Sequence, residues 1–315
     1  MRAIAVAKFK DPPELMDLPK PTAGPGEILV RVGAAGVNPF DAKIAEGALD
    51  GRMPHVFPLI LGVDGAGVVE AVGPNVSRFR VGDGVYGSFL HAPVGTGTYC
   101  EYAPVPEGIA IAPIPRGIYT VAAASIPTAG MTARQALDEL GLAKGKTLLI
   151  LGASGGVGSI ATQLAATEGI HVIVGSRAAN RDFLRRLGAV EFFDTGAGHL
   201  LEELRHAHPG GVDAILDLMD PPEAFAAHVA ALRPGGVAAS TIGAADLAAL
   251  SARGLRGINV DMHPTADLMA RLSKELAAGR LRTAVESQVP LAEAPRALEA
   301  LRSHTGRGKT VLTIG

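Results

Sequence analysis

"LILGASGGVGSIATQLAA", Leu149–Ala166, sets an aliphatic run directly against a glycine-rich turn, with helical spacing beyond it. Strand, turn and helix in that order decide how the chain is read. Gly155, Gly156 and Gly158 leave a loop from which nothing projects, and the first N–H groups and dipole of the helix favour an anion there. Ser154, Gly155, Gly156 and Val157 are therefore candidate cofactor contacts. Ala153 stands where the usual GxGxxG fingerprint has its first glycine. The pattern alone is weak, and its weight comes from following a strand and opening a helix. The plain alternative is a tight turn with close helix–sheet packing.

The surroundings favour the phosphate reading. From about Ser125 the chain alternates buried strands with helices: "TLLIL", "HVIVGS", "VEFF", "DAILDL", "GVAASTI" and "INVDM" are separated by helical stretches such as "NRDFLRRLG" and "EAFAAHVAAL". Six strands in that alternation predict a Rossmann-type doubly wound parallel sheet. An acid at the end of the second strand is the usual mark of an NAD site. Here that strand ends in Gly175, Ser176 and Arg177, with no carboxylate before Asp182. A hydroxyl and a guanidinium suit a 2′-phosphate, so Ser176 and Arg177 point to NADPH.

Residues 1–118 have another texture. Short β-rich runs ("MRAIAVAKF", "EILVRVGAAGV", "AGVVEAVG", "TYCEYAPVP") are punctuated by Gly and Pro, with turns read at "GPNV" and "GDGVYG". That spacing predicts a partly open β-barrel. Residues 266–315 start with a helix and finish on the strand "KTVLTI", and are expected to return to this first domain. The predicted division is 1–118, 119–265 and 266–315, with the central part binding the nucleotide.

Composition narrows the function classes. The 315 residues are 48% hydrophobic and 19% charged, an ordinary globular balance. A net charge of −2 and no Lys/Arg-rich run give no field for nucleic acid. No stretch approaches the roughly 18 apolar residues of a membrane span, and no signal peptide is evident at the N-terminus. A single cysteine, Cys100, excludes an intrachain disulfide and points to a cytoplasmic protein. Cys100 reads as a buried small hydrophobe.

Taken with "AAGVNPFDAK" (34–43), "LGVDGAGVVEAVGPNVSRFRVGDGVYG" (61–87), "GTYCEY" (97–102), "AASIPTAGMTARQAL" (123–137) and "GKTVLTI", the chain resembles the medium-chain dehydrogenase/reductase superfamily. The resemblance spans nearly the whole chain and is to the zinc-free quinone oxidoreductase branch. It implies a GroES-like β-rich catalytic domain built from both ends of the chain. Zinc-dependent relatives carry Gly-His-Glu where this chain has Gly62-Val63-Asp64, and a cysteine near Asn38. The nine histidines form no ligand spacing, and Cys100 alone rebuilds no zinc site, so no metal is expected.

The resemblance also assigns roles. Asn38 matches an asparagine near the nicotinamide ribose and the substrate carbonyl, although Asn-Pro is also a plain turn former. Lys43 replaces a tyrosine of bacterial quinone reductases, and Leu49 a second. The "DAK" form looks like the alkenal/enone reductase and chloroplast subgroup, where an ammonium could hold the cofactor ribose or an enolate oxygen. Thr128, Leu218, Ile242, Gly243 and Lys309 are cofactor contacts by the same carry-over, with Lys309 placed to reach the pyrophosphate. The expected activity is NADPH-dependent reduction of a small-molecule quinone or α,β-unsaturated carbonyl. The rivals are an enoyl reductase acting on a polyketide or carrier-bound intermediate, and an NADPH-binding module with little turnover. The edge strand "INVDM" makes a homodimer the expected assembly.

Overall fold

The computed structural model describes residues 1–301 and 306–315. They form two compact units: Met1–Thr128 with Pro264–Gly279 and Thr283–Gly315, and Ala129–His263 with Arg280–Arg282.

The second unit is built on a parallel six-stranded sheet. Its strands are Thr147–Leu151, His171–Ser176, Glu191–Asp194, Val212–Asp217, Leu232–Ser240 and Arg256–Asn259. They lie in the spatial order third, second, first, fourth, fifth, sixth. Strands covered on both faces must be apolar throughout, and Leu148–Leu151 and Val172–Val174 are all buried. Leu149, Leu151, Ile173, Ile215, Phe225 and Ala238 share one core. The order reverses between Thr147–Leu151 and Val212–Asp217, which pair directly from Leu148↔Ala214 to Leu151↔Asp217. Ligands of such sheets bind outside the carboxyl ends of strands at that reversal. The glycine turn starts there.

In this unit two elements differ from the sequence expectation. The strand expected at "INVDM" lies earlier, at Arg256–Asn259, paired with Val237–Ser240. Gly257 explains the shift: a Cβ there would lie 2.5 Å from Leu250 Cδ1, so only glycine lets the helix Leu247–Ala252 rest on this strand. The helix expected across "EAFAAHVAAL" ends at His228 and tightens into a 3₁₀ turn, Val229–Ala231. Leu232 then already pairs with Val212.

The first unit is β-rich. One sheet orders Val285–Pro290, Lys309–Thr313, Glu27–Gly36, Asp64–Val72, Gly84–Ser88 and Ile111–Pro113, with Tyr102–Pro106 also paired to Glu27–Gly36. A four-stranded sheet orders Glu14–Asp17, Arg2–Val6, His55–Ile60 and Val94–Thr96. Ile4, Val30, Val69, Val85, Val105 and Leu312 lie in a common core. The stretch "GDGVYG", read as a turn, is mostly strand. Gly82, at φ +94°, makes the turn, and Gly84–Ser88 pairs with Asp64–Val68. The chain's last strand, Lys309–Thr313, runs antiparallel to Glu27–Gly36. The short helix Thr120–Ala124 also belongs to this unit, because the missing side chain of Gly36 lets it approach: a Cβ on Gly36 would meet the Ala124 carbonyl oxygen at 2.3 Å. The unit therefore continues to Thr128, beyond the switch read near residue 118. Among the described residues, no helix is long and apolar enough to cross a membrane.

Candidate functional site

In the parallel-sheet unit the glycines divide the work. Gly152 takes the left-handed conformation, φ +77°, that turns the chain off its strand, so Ala153 needs no special backbone and is buried. At Gly158 a Cβ would fall 2.4 Å from the Gly152 carbonyl oxygen, so this glycine permits close packing of the helix Gly156–Thr167. Gly155 is different. Its φ of −74° suits any residue, and a Cβ would stand an ordinary 3.5 Å from the Gly152 oxygen. Neither backbone nor packing requires glycine at 155. It is the N-cap residue, and no side chain caps the helix. Its N–H donates to Gly152 O at 3.1 Å, and the first helical N–H groups belong to Gly156 and Val157.

The neighbouring strand ends carry the other nucleotide candidates. Ser176 is buried and its Oγ accepts from Asn180 Nδ2 at 3.0 Å, which leaves the hydroxyl hydrogen available to a ligand. Arg177 is exposed beside it. Leu218 is half-buried, its N–H donating to Leu151 O at 3.3 Å. A Cβ on Gly152 would lie 3.2 Å from that of Leu218, so the two turns are in close approach. Ile242 is half-exposed and Gly243 is left-handed at φ +78°. Ser240 Oγ shapes this turn by accepting from the N–H groups of Ile242 and Ala244.

In the β-rich unit the candidates other than Lys43 join a hydrogen-bonded cluster. Asn38 precedes the helix Pro39–Ala45, with Pro39 in the first helical position. Asp41 reaches back to accept the Asn38 N–H at 2.8 Å, and also accepts Val63 N–H at 3.0 Å and the Tyr99 hydroxyl at 2.7 Å. Asn38 Nδ2 donates to Asp64 Oδ2 at 3.0 Å and to Gly36 O at 3.3 Å, while its Oδ1 accepts from Lys309 Nζ at 2.6 Å. Asp64 further accepts the Thr128 N–H and, at 2.7 Å, the Thr128 hydroxyl.

Burial dominates the electrostatics. It pushes Asp41 up to about 7 against the hydrogen bonds of Tyr99 and Asn38. It likewise raises Asp64, opposed first by Lys309, and lowers Lys309, opposed by Asp64 and Asp41. Burial and then the Asp41 charge hold Tyr99 well above the usual phenol range. A lysine beside two carboxylates keeps the cluster near neutrality, which a dry site requires.

The structure places two of these candidates inside the cluster. The Lys309 ammonium is buried on Val37 O and Asn38 Oδ1. Both amide hydrogens of Asn38 are engaged and the residue is buried. Thr128 likewise gives its hydroxyl hydrogen to Asp64. Lys43 stands apart, exposed in the last turn of the helix. Cys100 is fully buried and its thiol is pushed up to about 12 by burial, so it is no nucleophile.

Residues 24–116 match the alcohol dehydrogenase GroES-like domain, and 187–312 match a domain described as zinc-binding dehydrogenase. A chloroplastic quinone-oxidoreductase homolog of Spinacia oleracea is 31% identical over 299 residues, 91% of this chain and 89% of that protein. The chain belongs to the medium-chain dehydrogenase/reductase superfamily, in its quinone oxidoreductase-like branch. The structure of the quinone oxidoreductase from Coxiella burnetii superposes with a TM-score of 0.87 at 28% identity, covering 100% of this chain and 99% of that one. A mycobacterial structure complexed with NADPH gives 0.84 at 28% identity, covering 99% and 100%. The chain is thus an oxidoreductase of a family that binds a nicotinamide cofactor.

The zinc in one of those family descriptions does not fit the Asn38 cluster of this quinone oxidoreductase-like chain. Val63 is a buried hydrocarbon, Asn38 is no anionic ligand, and both Asp64 oxygens already accept hydrogen bonds. The members of the cluster that sequence reading left without a role are Asp41, Asp64 and Tyr99; Asp64 was noted only where zinc-dependent relatives carry a glutamate. Asp41 had a signal, since an acid three residues after an asparagine N-cap is a helix-start pattern. Tyr99 had none: only the fold brings it to Asp41.

Proposed function

We propose that this oxidoreductase is an NADPH-dependent, zinc-independent reductase that transfers hydride to a quinone or an α,β-unsaturated carbonyl. The observation that carries the reading is the uncapped helix start behind Gly155, at the strand-order reversal, beside Ser176 and Arg177 with no carboxylate before Asp182. The NADPH-complexed mycobacterial relative supports it. In this reading the N–H groups of Gly156 and Val157 hold the pyrophosphate, and Ser154, Leu218, Ile242 and Gly243 line the remainder. Ser176 and Arg177 donate to the 2′-phosphate. When bound, the reduced nicotinamide supplies the hydride, while the protein supplies orientation and charge stabilisation.

The substrate oxygen becomes negative as the hydride arrives, and the Lys43 ammonium is the group offered to it. Asn38 is a weaker donor. To bond a carbonyl it must surrender its 3.3 Å contact with Gly36 O, the longer of its two donated bonds. Lys309 and Thr128 act in this scheme as positioning residues, through Asn38 and Asp64. A homodimer paired along the edge strand Arg256–Asn259 and a cytoplasmic setting complete the proposal.

The test is turnover of p-benzoquinones and short enones with each coenzyme, on chelator-treated protein. A hydrogen bond to a charged group contributes about 1.5–3 kcal/mol, so kcat/KM should favour NADPH by at least about tenfold. Arg177→Ala should remove most of that preference and leave NADH kinetics unchanged. Equal use of both coenzymes refutes the phosphate site. Tight NADPH binding without turnover of either substrate class refutes the reductase.

A further inference from the structure

The carboxyl end of strand Val212–Asp217 carries a polar cluster that the proposed reduction does not use. Asp217 is wholly buried, and its Oδ1 accepts the N–H groups of Met219 and Asp220 at 3.0 and 2.9 Å. Its other oxygen, Oδ2, is buried and has no hydrogen-bond partner among the described residues, and Nδ1 of His228 is buried beside it. Asp220 Oδ2 lies 3.0 Å from that nitrogen and Asp217 Oδ2 lies 3.9 Å from it. All three atoms fall within 4.8 Å of one another.

Buried lone pairs without a donor are costly, and native folds rarely leave them so. Here two carboxylate oxygens and an imidazole nitrogen converge on one small volume. A zinc-class ion with ligands at about 2.0–2.2 Å sets neighbouring donor atoms roughly 3–3.6 Å apart. The distances of 3.0 and 3.9 Å bracket that range. We propose that Asp217 Oδ2, Asp220 Oδ2 and His228 Nδ1 form a binding site for a divalent transition-metal ion of the zinc class.

The donor set fits that class. Imidazole suits zinc, nickel and their neighbours, whereas calcium and magnesium prefer all-oxygen sites. Two carboxylates neutralise a dication, and the His228 and Asp220 side chains are only 18% and 20% exposed. Chain spacing alone does not announce the site. Asp217 ends a strand, Asp220 lies in the turn after it, and His228 ends the helix Pro222–His228, so only the strand–turn–helix path assembles them. An ion there would fasten the Leu218–Asp220 turn to that helix. The site is structural and separate from the Asn38 cluster, and it does not rest on the reductase reading.

The test is Zn²⁺ titration of chelator-stripped protein by calorimetry, with bound metal counted by elemental analysis and the melting temperature followed. The expected result is one ion per chain at micromolar zinc, with a rise in melting temperature. His228→Ala and Asp220→Asn should each weaken binding by at least about tenfold, while His208→Ala, a histidine outside the cluster, should not. Asp220 is partly exposed, so its variant reports even where the His228 variant fails to fold. No uptake by the unmodified protein, or equal uptake by Asp220→Asn, overturns the proposal in favour of a metal-free Asp–Asp–His ion cluster.

Discussion

At the end of strand Thr147–Leu151 the candidate site is made of backbone: a left-handed Gly152, a helix start with no side-chain cap, and an N-cap glycine that packing does not demand. At the start of helix Pro39–Ala45 it is made of side chains, five of them buried and polar, in which almost every donor already has an acceptor. The first region holds polar groups ready for an incoming anion. The second has its polar groups satisfied in advance. A site of the first kind binds with little rearrangement. A site of the second kind contributes rigidity, and must break a bond before it can touch a ligand.

The largest expected effect lies in the satisfied region. Lys309→Met removes the cation beside Asp64, Asp41 and Asn38, leaving buried carboxylate without its counter-charge. Breaking a buried pair this way costs about 3–5 kcal/mol, to be read from urea unfolding. A loss below about 1 kcal/mol would mean that Lys309 and Asp64 do not carry their charges inside the fold.

Lys43→Ala should sharpen the contrast from the same helix, because this lysine is exposed and outside the cluster. Its removal should leave unfolding unchanged yet lower kcat by roughly 10²-fold, the loss typical of one oxyanion donor. A fall in NADPH affinity with kcat intact would move Lys43 to the cofactor ribose. Unchanged kinetics would leave it a solvated surface charge.

The smallest effect on stability belongs to the open region. Gly155→Ala is compatible with φ −74° and meets no atom closer than 3.5 Å, so stability should stay within about 0.5 kcal/mol. Cofactor binding, measured by fluorescence titration, should nevertheless weaken, since the added methyl stands where the proposed reading places the phosphate. Unchanged affinity would mean that the glycine run serves packing alone, and the two regions would no longer differ in kind.

The two regions also differ in how far the sequence disclosed them. The glycine turn is local: its residues sit side by side and its strand–helix context follows from hydrophobic periodicity. The six strands and their alternation were readable for the same reason. The Asn38 cluster joins Asn38, Asp41, Asp64, Tyr99, Thr128 and Lys309, residues spread from one end of the chain to the other. Family resemblance marked Asn38, Thr128 and Lys309 as cofactor or substrate contacts, whereas their bonds to one another and to Asp64 form only in the fold. The Asp217–Asp220–His228 cluster was invisible for a related reason, since a strand end and a helix end meet only in three dimensions. The misplaced strand at "INVDM" is a smaller lesson. Gly257 is the position where a helix must touch the sheet.

One buried carboxyl has a consequence for heat rather than for structure. Asp41 titrates near 7 in the folded protein, while a carboxyl in an unfolded chain titrates near 3.9. Its contribution to stability is therefore complete below the unfolded value and is lost as pH rises through about 7. At about pH 6 the folded chain holds a proton that the unfolded chain gives up, so melting the protein hands that proton to the buffer. The calorimetric enthalpy of unfolding should then depend on the buffer's own heat of ionisation, and Asp41→Asn should weaken that dependence.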